Sequence, residues 1–306
     1  MFDLVNHRIK WPSLLSFVIA ILVPSTVTAE IRWSISPTLG VYSPDLGPLN
    51  DKVFGARLPL SGDLFFQDDG ANERPVRYDV DNPLPKIRYG AEAGVEFRME
   101  IDQRNHFVIG LSSWEGVSTA RVNTTLPFQG ALTDTVYTRR ASIAYLQYYL
   151  GWRRDLIKRH KKFTFYSRIL LNEVFDIDFR ESFVFEFNNS LSEGDTFKRI
   201  TRLETQATGS LMLQPAIGGE FFIRDWLSLG IDLGYAFGLN SFELGNANSS
   251  NDFQPRDRVS ISYPTGGLND GSGKLGYLAD EDGAGYRKME IDLNGWRTLF
   301  KINIYY

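Results

Sequence analysis

Residues 227–239 read LSLGIDLGYAFGL, and their alternation guides the interpretation of the whole chain. Every second residue from Leu227 to Leu239 is large and apolar, whereas the residues between them are serine, aspartate, glycine and alanine. Successive side chains of a β-strand point to opposite faces, and residues on one face recur with a period of two. The stretch therefore predicts a strand with one continuously apolar face and one small or polar face.

Seven other segments follow the same rule. The final one carries Trp296, Phe300, Ile302 and Tyr306 on one face, and the segment 86–99 alternates apolar residues with charges of both signs. The eight predicted strands cover residues 31–41, 86–99, 106–116, 140–152, 163–179, 211–223, 227–239 and 296–306. Helical periodicity is hard to find anywhere in the chain, so the fold class is predicted to be all-β.

The connections between these strands alternate in length. Long connections at about 42–85, 121–139, 180–208 and 242–286 are separated by shorter ones, as at 100–105. This alternation predicts an antiparallel up-and-down transmembrane β-barrel of eight strands over residues 30–306, with ten or twelve strands as the alternative.

The third long connection is predicted to be partly regular. Phe183, Phe185 and Phe187 keep the odd-number parity of the segment 163–179, so the strand should continue beyond its membrane part. Residues 198–208 are expected to return beside it, which would give a protruding hairpin.

Residues 1–29 are typical of a secretory signal peptide. A basic start around Arg8 precedes an apolar run at 14–23 that is too short to span a bilayer, and small residues occupy 27–29. We expect cleavage after Ala29, with a retained anchor as the alternative. Because no later segment is long and apolar enough for a transmembrane helix, an exported chain of this kind could cross a membrane only as a barrel.

Composition excludes several function classes. The 306 residues include 33 Lys and Arg against 37 Asp and Glu, a net charge of −4, so the basic field needed for nucleic-acid binding is missing. The absence of cysteine excludes disulfides, thiolate metal sites and cysteine catalysis. The 22 Phe, 14 Tyr, 6 Trp and 27 Gly favour strands over helices.

Alternation alone does not separate a membrane barrel from a soluble sandwich or a lipocalin-like barrel, because half-buried soluble strands alternate in the same way. Aromatic residues at strand ends favour the membrane barrel, since aromatic girdles mark both membrane interfaces of such proteins. The predicted interface aromatics are Trp33, Tyr89, Trp226, Trp296 and Tyr306. The asymmetric connection lengths favour the same choice.

These features resemble the small bacterial outer-membrane barrels of the OmpA, OmpX and OmpW type. The terminal pattern Phe300-x-Ile302-x-Ile304-x-Tyr306 is similar to the signal recognised by the barrel-assembly machinery, although that signal usually ends in Phe. The resemblance covers the whole exported part and is architectural. It implies a barrel-only, monomeric protein in outer-membrane lipid, with short turns in the periplasm and long loops outside.

If the apolar faces meet lipid, the opposite faces line the barrel lumen. The predicted lumen charges are Arg32, Lys86, Arg88, Glu92, Glu96, Arg98, Arg168, Glu220, Asp232, Arg297 and Lys301. An eight-stranded interior is just wide enough to be filled by side chains, so these charges must pair. They form either a structural plug or a narrow polar path in which the pairs switch partners.

A basic turn is predicted at the periplasmic side. It consists of Arg153, Arg154, Lys158, Arg159, Lys161 and Lys162. Six cations at a membrane surface could attract anionic lipid head groups or an acidic partner, and a merely solvated turn is the alternative. Acidic loop segments such as 280–283 match no calcium-binding loop, so we expect no metal and no cofactor.

Catalysis is not expected. Only His106 and His160 remain after the predicted cleavage; His160 lies in the basic turn, and Ser112 lies across the membrane from His106. The sequence thus predicts a non-enzymatic barrel that acts through its outer loops in surface interaction, adhesion or membrane integrity. A small pore for ions or solutes is the alternative, and a lipid-modifying enzyme with a histidine near the outer rim is a more remote one.

Overall fold

A computed structural model describes residues 32–47, 49–54, 66–68, 73–75, 82–128, 131–160, 162–188, 196–207, 209–244, 247–254, 260–264, 279–281, 286–288 and 290–306. The predicted signal peptide at 1–29 lies outside these ranges. Among the described residues, no helix is both long and apolar enough to cross a membrane.

Antiparallel strands account for nearly all of the regular structure. The principal strands are β1 (Trp33–Pro44), β2 (Gly90–Glu100), β3 (Asn105–Phe128), β4 (Ala131–His160), β5 (Phe163–Asn188), β6 (Thr196–Ala207), β7 (Ser210–Arg224), β8 (Leu227–Gly238), β9 (Ala247–Gln254), β10 (Ser260–Pro264) and β11 (Gly295–Tyr305). Short ladders join Phe66–Asp68 to Glu73–Pro75, Phe242–Glu243 to Glu290–Ile291 and Ala279–Glu281 to Tyr286–Lys288, and Leu49–Phe54 forms one π-helical turn.

Eight strands close into a ring, which confirms the predicted up-and-down barrel. Their order is β1-β2-β3-β4-β5-β7-β8-β11, and β11 pairs again with β1. Each neighbour in the ring is antiparallel to the next. Since closure leaves no free edge within the ring, all of its backbone ladders are satisfied internally.

The stagger of the ring can be read from its register. Starting at Leu39 on β1, one can step from each residue to its paired residue on the next strand, either toward β2 or toward β11. Both paths end on β5, the first at Phe175 and the second at Phe165, which are ten residues apart. The first path runs through Ala93, Ser113 and Leu146 and the second through Phe300, Ile231 and Gly219. With a rise of about 3.3 Å per residue and a strand spacing of about 4.8 Å, this stagger corresponds to a strand tilt of about 40°.

Three neighbouring strands are much longer than the others. β3, β4 and β5 have 24, 30 and 26 residues, whereas the other ring strands have 11 to 15. Beyond the ring, β6 pairs with β5, and β9 and β10 continue the sheet; we call this region, with the upper parts of β3–β5, the outer extension. The segment 121–139 was predicted as a long connection, but residues 121–128 belong to β3 and residues 131–139 to β4. Phe128 pairs directly with Ala131. The predicted return strand is present as β6, and the hairpin tip lies outside the described residues.

The strand predicted at 163–179 continues to Asn188 as expected, but a β-bulge at Asp176 reverses the face that continued parity implied for its upper part. Asp176 has a φ of 52°, and Ala144 pairs with Asp178 whereas Leu146 pairs with Phe175, so β5 holds one extra residue. The extra residue reverses the facing of everything that follows. Phe183, Phe185 and Phe187 are therefore buried on the inner face, not on the outer face that continued parity would give them.

The ring buries one face of each strand and exposes the other. The large apolar side chains exposed on the outside form what we call the apolar belt: Leu39, Val41, Phe97, Ile109, Leu111, Val117, Leu146, Leu150, Phe163, Phe165, Ile169, Leu171, Leu211, Leu213, Ile217, Ile223, Leu229, Ile231, Leu233, Phe237, Phe300 and Ile302. Soluble proteins rarely expose contiguous apolar patches above a few hundred Å². The inner face holds polar side chains in its lower part, toward the short turns, and apolar ones above them.

Candidate functional site

The lower interior of the barrel contains a charge-balanced set of side chains, which we call the interior network. Its carboxylates are Glu92, Glu96, Asp155, Glu220 and Asp232, and its cations are Arg98, Arg153, Arg168, Arg297 and Lys301. Five negative charges thus meet five positive charges. All but Asp155 belong to fully buried residues, and the Asp155 side chain is 13% exposed.

The upper layer of the network centres on Glu92. Its carboxylate accepts hydrogen bonds from Arg297 Nε at 2.6 Å, Ser112 Oγ at 2.7 Å and Gln147 Nε2 at 2.9 Å. Arg297 Nη1 also donates to Gln214 Oε1 at 2.6 Å. These side chains come from β2, β3, β4, β7 and β11, so the layer extends across the interior.

The middle layer pairs two carboxylates with two cations. Lys301 Nζ lies 2.7 Å from both Glu96 Oε1 and Asp232 Oδ2, and Arg168 reaches the same two carboxylates at 2.7 Å each. The hydroxyl of Tyr149 donates to Glu96 at 3.3 Å. Each charge therefore has two opposite partners, which is the arrangement that offsets the cost of burying ions.

The lower layer centres on Glu220. Arg153 Nη2 donates to it at 2.8 Å and Arg98 Nη1 at 3.2 Å, and the Tyr305 and Ser228 hydroxyls donate as well. Arg153 also bridges to Asp155 at 2.8 Å. His106 Nε2 lies 3.3 Å from the second Asp155 oxygen, so the layer ends in this pair near the short turns.

Apolar side chains close the interior above the network. Tyr42, Trp114 and Tyr145 are fully buried there, with the Trp114 and Tyr145 rings stacked at 5.1 Å. The turn Leu49–Phe54 folds over the mouth, and Asn50 fixes it by donating to the Ile87 carbonyl at 3.0 Å and accepting from the Ile87 amide at 2.8 Å. The interior is thus filled by charged pairs below and by apolar packing above.

The inner face of the outer extension continues the apolar core that closes the top of the barrel. Phe183, Phe185 and Phe187 are fully buried, and the Tyr137 and Phe185 rings stack at 4.4 Å. Within this core one fully buried ion pair joins Arg139 and Glu181 at 2.6 Å. The sequence analysis did not single out this pair. Arg139 follows the inward parity of β4, whereas Glu181 faces inward only because of the bulge at Asp176.

Three of the predicted lumen charges lie outside the interior. Lys86 forms an ion pair with Asp51 while 56% of its side chain stays exposed, and Arg88 is exposed. Residues 82–89 are not strand, so the alternation predicted from residue 86 begins only at Gly90. Arg32 precedes β1, donates to the Asp225 carbonyl and lies 4.4 Å from the Tyr305 ring. The other eight predicted lumen charges lie in the interior network.

The predicted interface aromatics lie on the outer surface. Trp33, Tyr89, Trp226, Trp296 and Tyr306 are all exposed. Of the predicted C-terminal signal, Phe300, Ile302 and Tyr306 are exposed and Ile304 is half-buried. The neighbouring Tyr305 turns inward to Glu220, a contact that its parity with Lys301 and Asn303 could have indicated.

The structure divides the predicted basic turn. Arg153 faces inward and belongs to the interior network, which corrects its assignment to the turn surface, whereas Arg154 and Lys162 are exposed. Lys158, Arg159 and Lys161 have side chains outside the described part.

A second turn at this end is held by Asp102. It accepts from the Asn105 side chain at 2.8 Å and from the backbone amides of Arg104 and Asn105 at 2.8 and 2.9 Å. These hydrogen bonds, that from the Asn105 side chain above all, lower the pKa of Asp102. A turn that is fixed in this way explains the short connection between β2 and β3.

Metal-binding geometry is absent from the described ranges, where no group of three or more His, Asp or Glu side chains could hold an ion. The side chains of the acidic segment 280–283 lie outside the described part of the structure. His106 lies at the lower end of the interior beside Asp155, and Ser112 lies in the upper layer of the network.

Comparison with known proteins gives little. No protein-family model matches the chain, and no curated protein matches it. Among solved structures, the translocator domain of the autotransporter NalP from Neisseria meningitidis aligns with 95% of this chain and 93% of that chain, at 8% identity and a TM-score of 0.18. A likeness at this level supports no conclusion, so the fold and the function rest on the strands and contacts described above.

Proposed function

We propose that the chain is a bacterial outer-membrane barrel that acts non-enzymatically through its outer extension. The observation that carries this proposal is the apolar belt around a ring whose interior is already filled. A soluble barrel would have to leave this belt in water, whereas a bilayer would cover it.

The height of the belt fits a bilayer. Trp296 and Tyr306 lie at the two ends of β11, ten residues apart and both exposed. Ten residues span about 33 Å along a strand, or about 25 Å along the barrel axis at a tilt of about 40°. The apolar band of outer-membrane barrels is about 25 Å tall and carries aromatic girdles at both edges.

Export and assembly follow from the same reading. The signal peptide at 1–29, cleaved after Ala29, would bring the chain to the periplasm, and the terminal Phe300-x-Ile302-x-Ile304-x-Tyr306 would engage the barrel-assembly machinery. Short turns would then face the periplasm and the outer extension the exterior. The eight-stranded ring supports the resemblance to small barrels, and membership of the OmpA, OmpX or OmpW type is part of this proposal.

The strands of the outer extension support a role in surface interaction, adhesion or membrane integrity. The long upper parts of β3, β4 and β5 extend beyond the apolar belt and bury apolar side chains that are continuous with the core at the top of the barrel. A monomer can build this region alone, since its ladder and core come from one chain. The filled interior favours a plug over the alternative of a small pore.

Refolding into vesicles, followed by flotation and planar-bilayer recording, tests the proposal. We expect the chain to float with the vesicles, to migrate differently on gels before and after heating, and to give no discrete conductance steps. Failure to insert would overturn the membrane assignment. Reproducible steps that change in Glu92→Ala would instead establish a pore through the interior network, with Lys86→Ala as the control outside it.

A further inference from the structure

A groove lies on the outward face of the outer extension, near its upper end. It has a volume of about 530 Å³, and the outward side chains that line it are Asn123, Thr125, Asp134, Val136 and Asn188. Thr135 and Tyr137 are buried on the inner face of β4, so the alternate residues Asp134 and Val136 point outward. We call this groove the polar groove.

The strand register brings these side chains together in two adjacent rows. Thr125 on β3 lies opposite Asp134 on β4, and Asn123 lies opposite Val136. On the other side of β4, the ladder with β5 places Asn188 beside Asp134. The first row is therefore wholly polar, and the second has the half-buried Val136 as an apolar floor.

The polar groove is built on firmly packed strands outside the apolar belt. Asn123 lies six residues beyond Val117 of the belt, about 20 Å along β3, so a bilayer around the belt would leave the groove in water. On the opposite face of the same sheet, Tyr137, Phe185 and Phe187 are fully buried. Side chains carried by packed strands are held in position before a ligand arrives, which lowers the cost of binding.

Most of the hydrogen-bonding capacity of the polar groove is unused. Thr125 Oγ1 donates to Asp134 Oδ1 at 3.4 Å, which is long for a hydrogen bond between oxygens. The carboxamides of Asn123 and Asn188 form no hydrogen bond with any residue that the structure describes. A carboxamide and a hydroxyl group each donate and accept, whereas a carboxylate only accepts. The groove thus offers one charged acceptor among several groups that do both.

This combination excludes most classes of ligand. The lining contains one carboxylate and no cation, which disfavours phosphates and nucleic acids. It also lacks the Trp, Tyr and Arg anchors that dominate protein interfaces, and an apolar molecule would leave the amides unpaired. Within the described ranges, no group of three or more His, Asp or Glu side chains could hold a metal ion. A neutral molecule with several adjacent hydroxyl groups matches what remains.

We infer that the polar groove binds a neutral saccharide that reaches it from the aqueous side. Two neighbouring sugar hydroxyl groups donate charge-assisted hydrogen bonds to the Asp134 carboxylate, and the Asn123 and Asn188 carboxamides both donate to and accept from the others. Val136 contacts the C–H face of the sugar ring. The inference rests on the proposed function and deepens it, because it gives a chemical class to the partner of the outer extension.

Saturation-transfer NMR on the vesicle-inserted chain tests the inference. The probes are maltose, lactose and mannobiose, three neutral disaccharides whose hydroxyl groups differ in orientation, and the vesicles contain phosphatidylcholine only. We expect magnetisation to pass from the protein to at least one probe, and none to pass from empty vesicles. Because hydrogen bonds to a charged acceptor are the stronger ones, Asp134→Asn should weaken the affinity for that probe about tenfold.

Two matched variants leave the polar groove intact. Glu115→Gln removes an exposed carboxylate lower on the same face of β3, and Thr119→Ala removes an exposed hydroxyl group six residues before Thr125 on that face. Thr125→Ala should weaken the affinity about fivefold, since it removes a neutral hydrogen-bonding group from the groove. Glu115→Gln and Thr119→Ala should retain the affinity.

Each result bears on one claim. Transfer to none of the three disaccharides, from a chain that floats with the vesicles, would overturn the saccharide site, as would unchanged affinity in Asp134→Asn or an equal loss in Glu115→Gln. Equal transfer to tetraglycine would identify a site for peptide amides and would also overturn it. A chain that does not float with the vesicles contradicts the proposed function itself, which separates the two failures.

Discussion

Removal of one partner from the upper layer of the interior network measures how strongly that layer is sealed from water. In Arg297→Met, Glu92 loses the cation that contacts both of its oxygens, while Ser112 and Gln147 still donate to it. An uncompensated buried charge costs about 3–5 kcal/mol. We therefore expect the free energy of unfolding to fall by that amount in Arg297→Met.

A double-mutant cycle separates the pair from its surroundings. Glu92→Gln in the Arg297→Met background removes both charges, and replacement of a buried ion pair by neutral groups is often close to neutral. We expect the double variant to recover most of the lost stability. Urea unfolding of the vesicle-inserted chain, monitored by tryptophan fluorescence, provides the free energies.

The surface pair Lys86–Asp51 provides the control. Both of its side chains are more than half exposed, so Lys86→Met should change the free energy of unfolding by less than about 1 kcal/mol. If Arg297→Met lowered the free energy of unfolding as little as Lys86→Met does, the upper layer would be hydrated. That result would refute the sealed interior and would support a wet path through the barrel.

Three further changes test other parts of the structure in the same unfolding assay. Phe185→Ala removes a fully buried ring from the outer extension and should cost about 3–5 kcal/mol, clearly more than Phe165→Ala at a ring that is 52% exposed on the belt. Asp176→Val places a β-branched residue at a φ of 52° and should cost about 1–3 kcal/mol, whereas Asp176→Gly should be tolerated; equal stability of the two would argue against the bulge. Ile231→Arg on the belt should destabilise the inserted chain by about 2–4 kcal/mol, and no loss would place Ile231 outside the lipid.

The strands of the ring were predictable because outward-facing and inward-facing residues alternate without interruption along most of them. The segment 227–239 shows this clearly, since Leu229, Ile231, Leu233 and Phe237 lie on the belt and Asp232 lies in the interior. The eight predicted lumen charges from Glu92 to Lys301 face inward in the structure for the same reason. Alternation predicts which face of the sheet each side chain lies on, provided that the strand is not interrupted.

The failures occur where the strand is interrupted. Nothing in the residue types around Asp176 marks the bulge, and one extra residue transfers Phe183 and Phe187 from the outer to the inner face. Lys86 and Arg88 alternate in sequence, but the backbone before Gly90 folds over the barrel mouth and pairs through Asn50. Such tertiary contacts are not encoded in a local period of two.

The sequence also did not indicate which charged residues pair with one another in the interior. Arg168 contacts Glu96 and Asp232 from strands distant in the chain, and only the register of the closed ring brings them together. A stagger other than ten would pair different charges. The parity of Arg153 could have indicated its inward position, since it shares a face with Gln147 and Tyr149, but the run of basic residues around it suggested a surface turn.

Accessibility of spin labels on β8 tests the central claim most directly. The chain contains no cysteine, so single cysteines at positions 229 to 233 give unique labelling sites in the vesicle-inserted protein. The account predicts that labels replacing Leu229, Ile231 and Leu233 collide frequently with lipid-dissolved oxygen, and that labels replacing Gly230 and Asp232 collide with neither oxygen nor an aqueous nickel complex. Equal accessibility along the strand, or nickel reaching Ile231 as readily as oxygen does, would contradict a lipid-embedded ring with a filled interior.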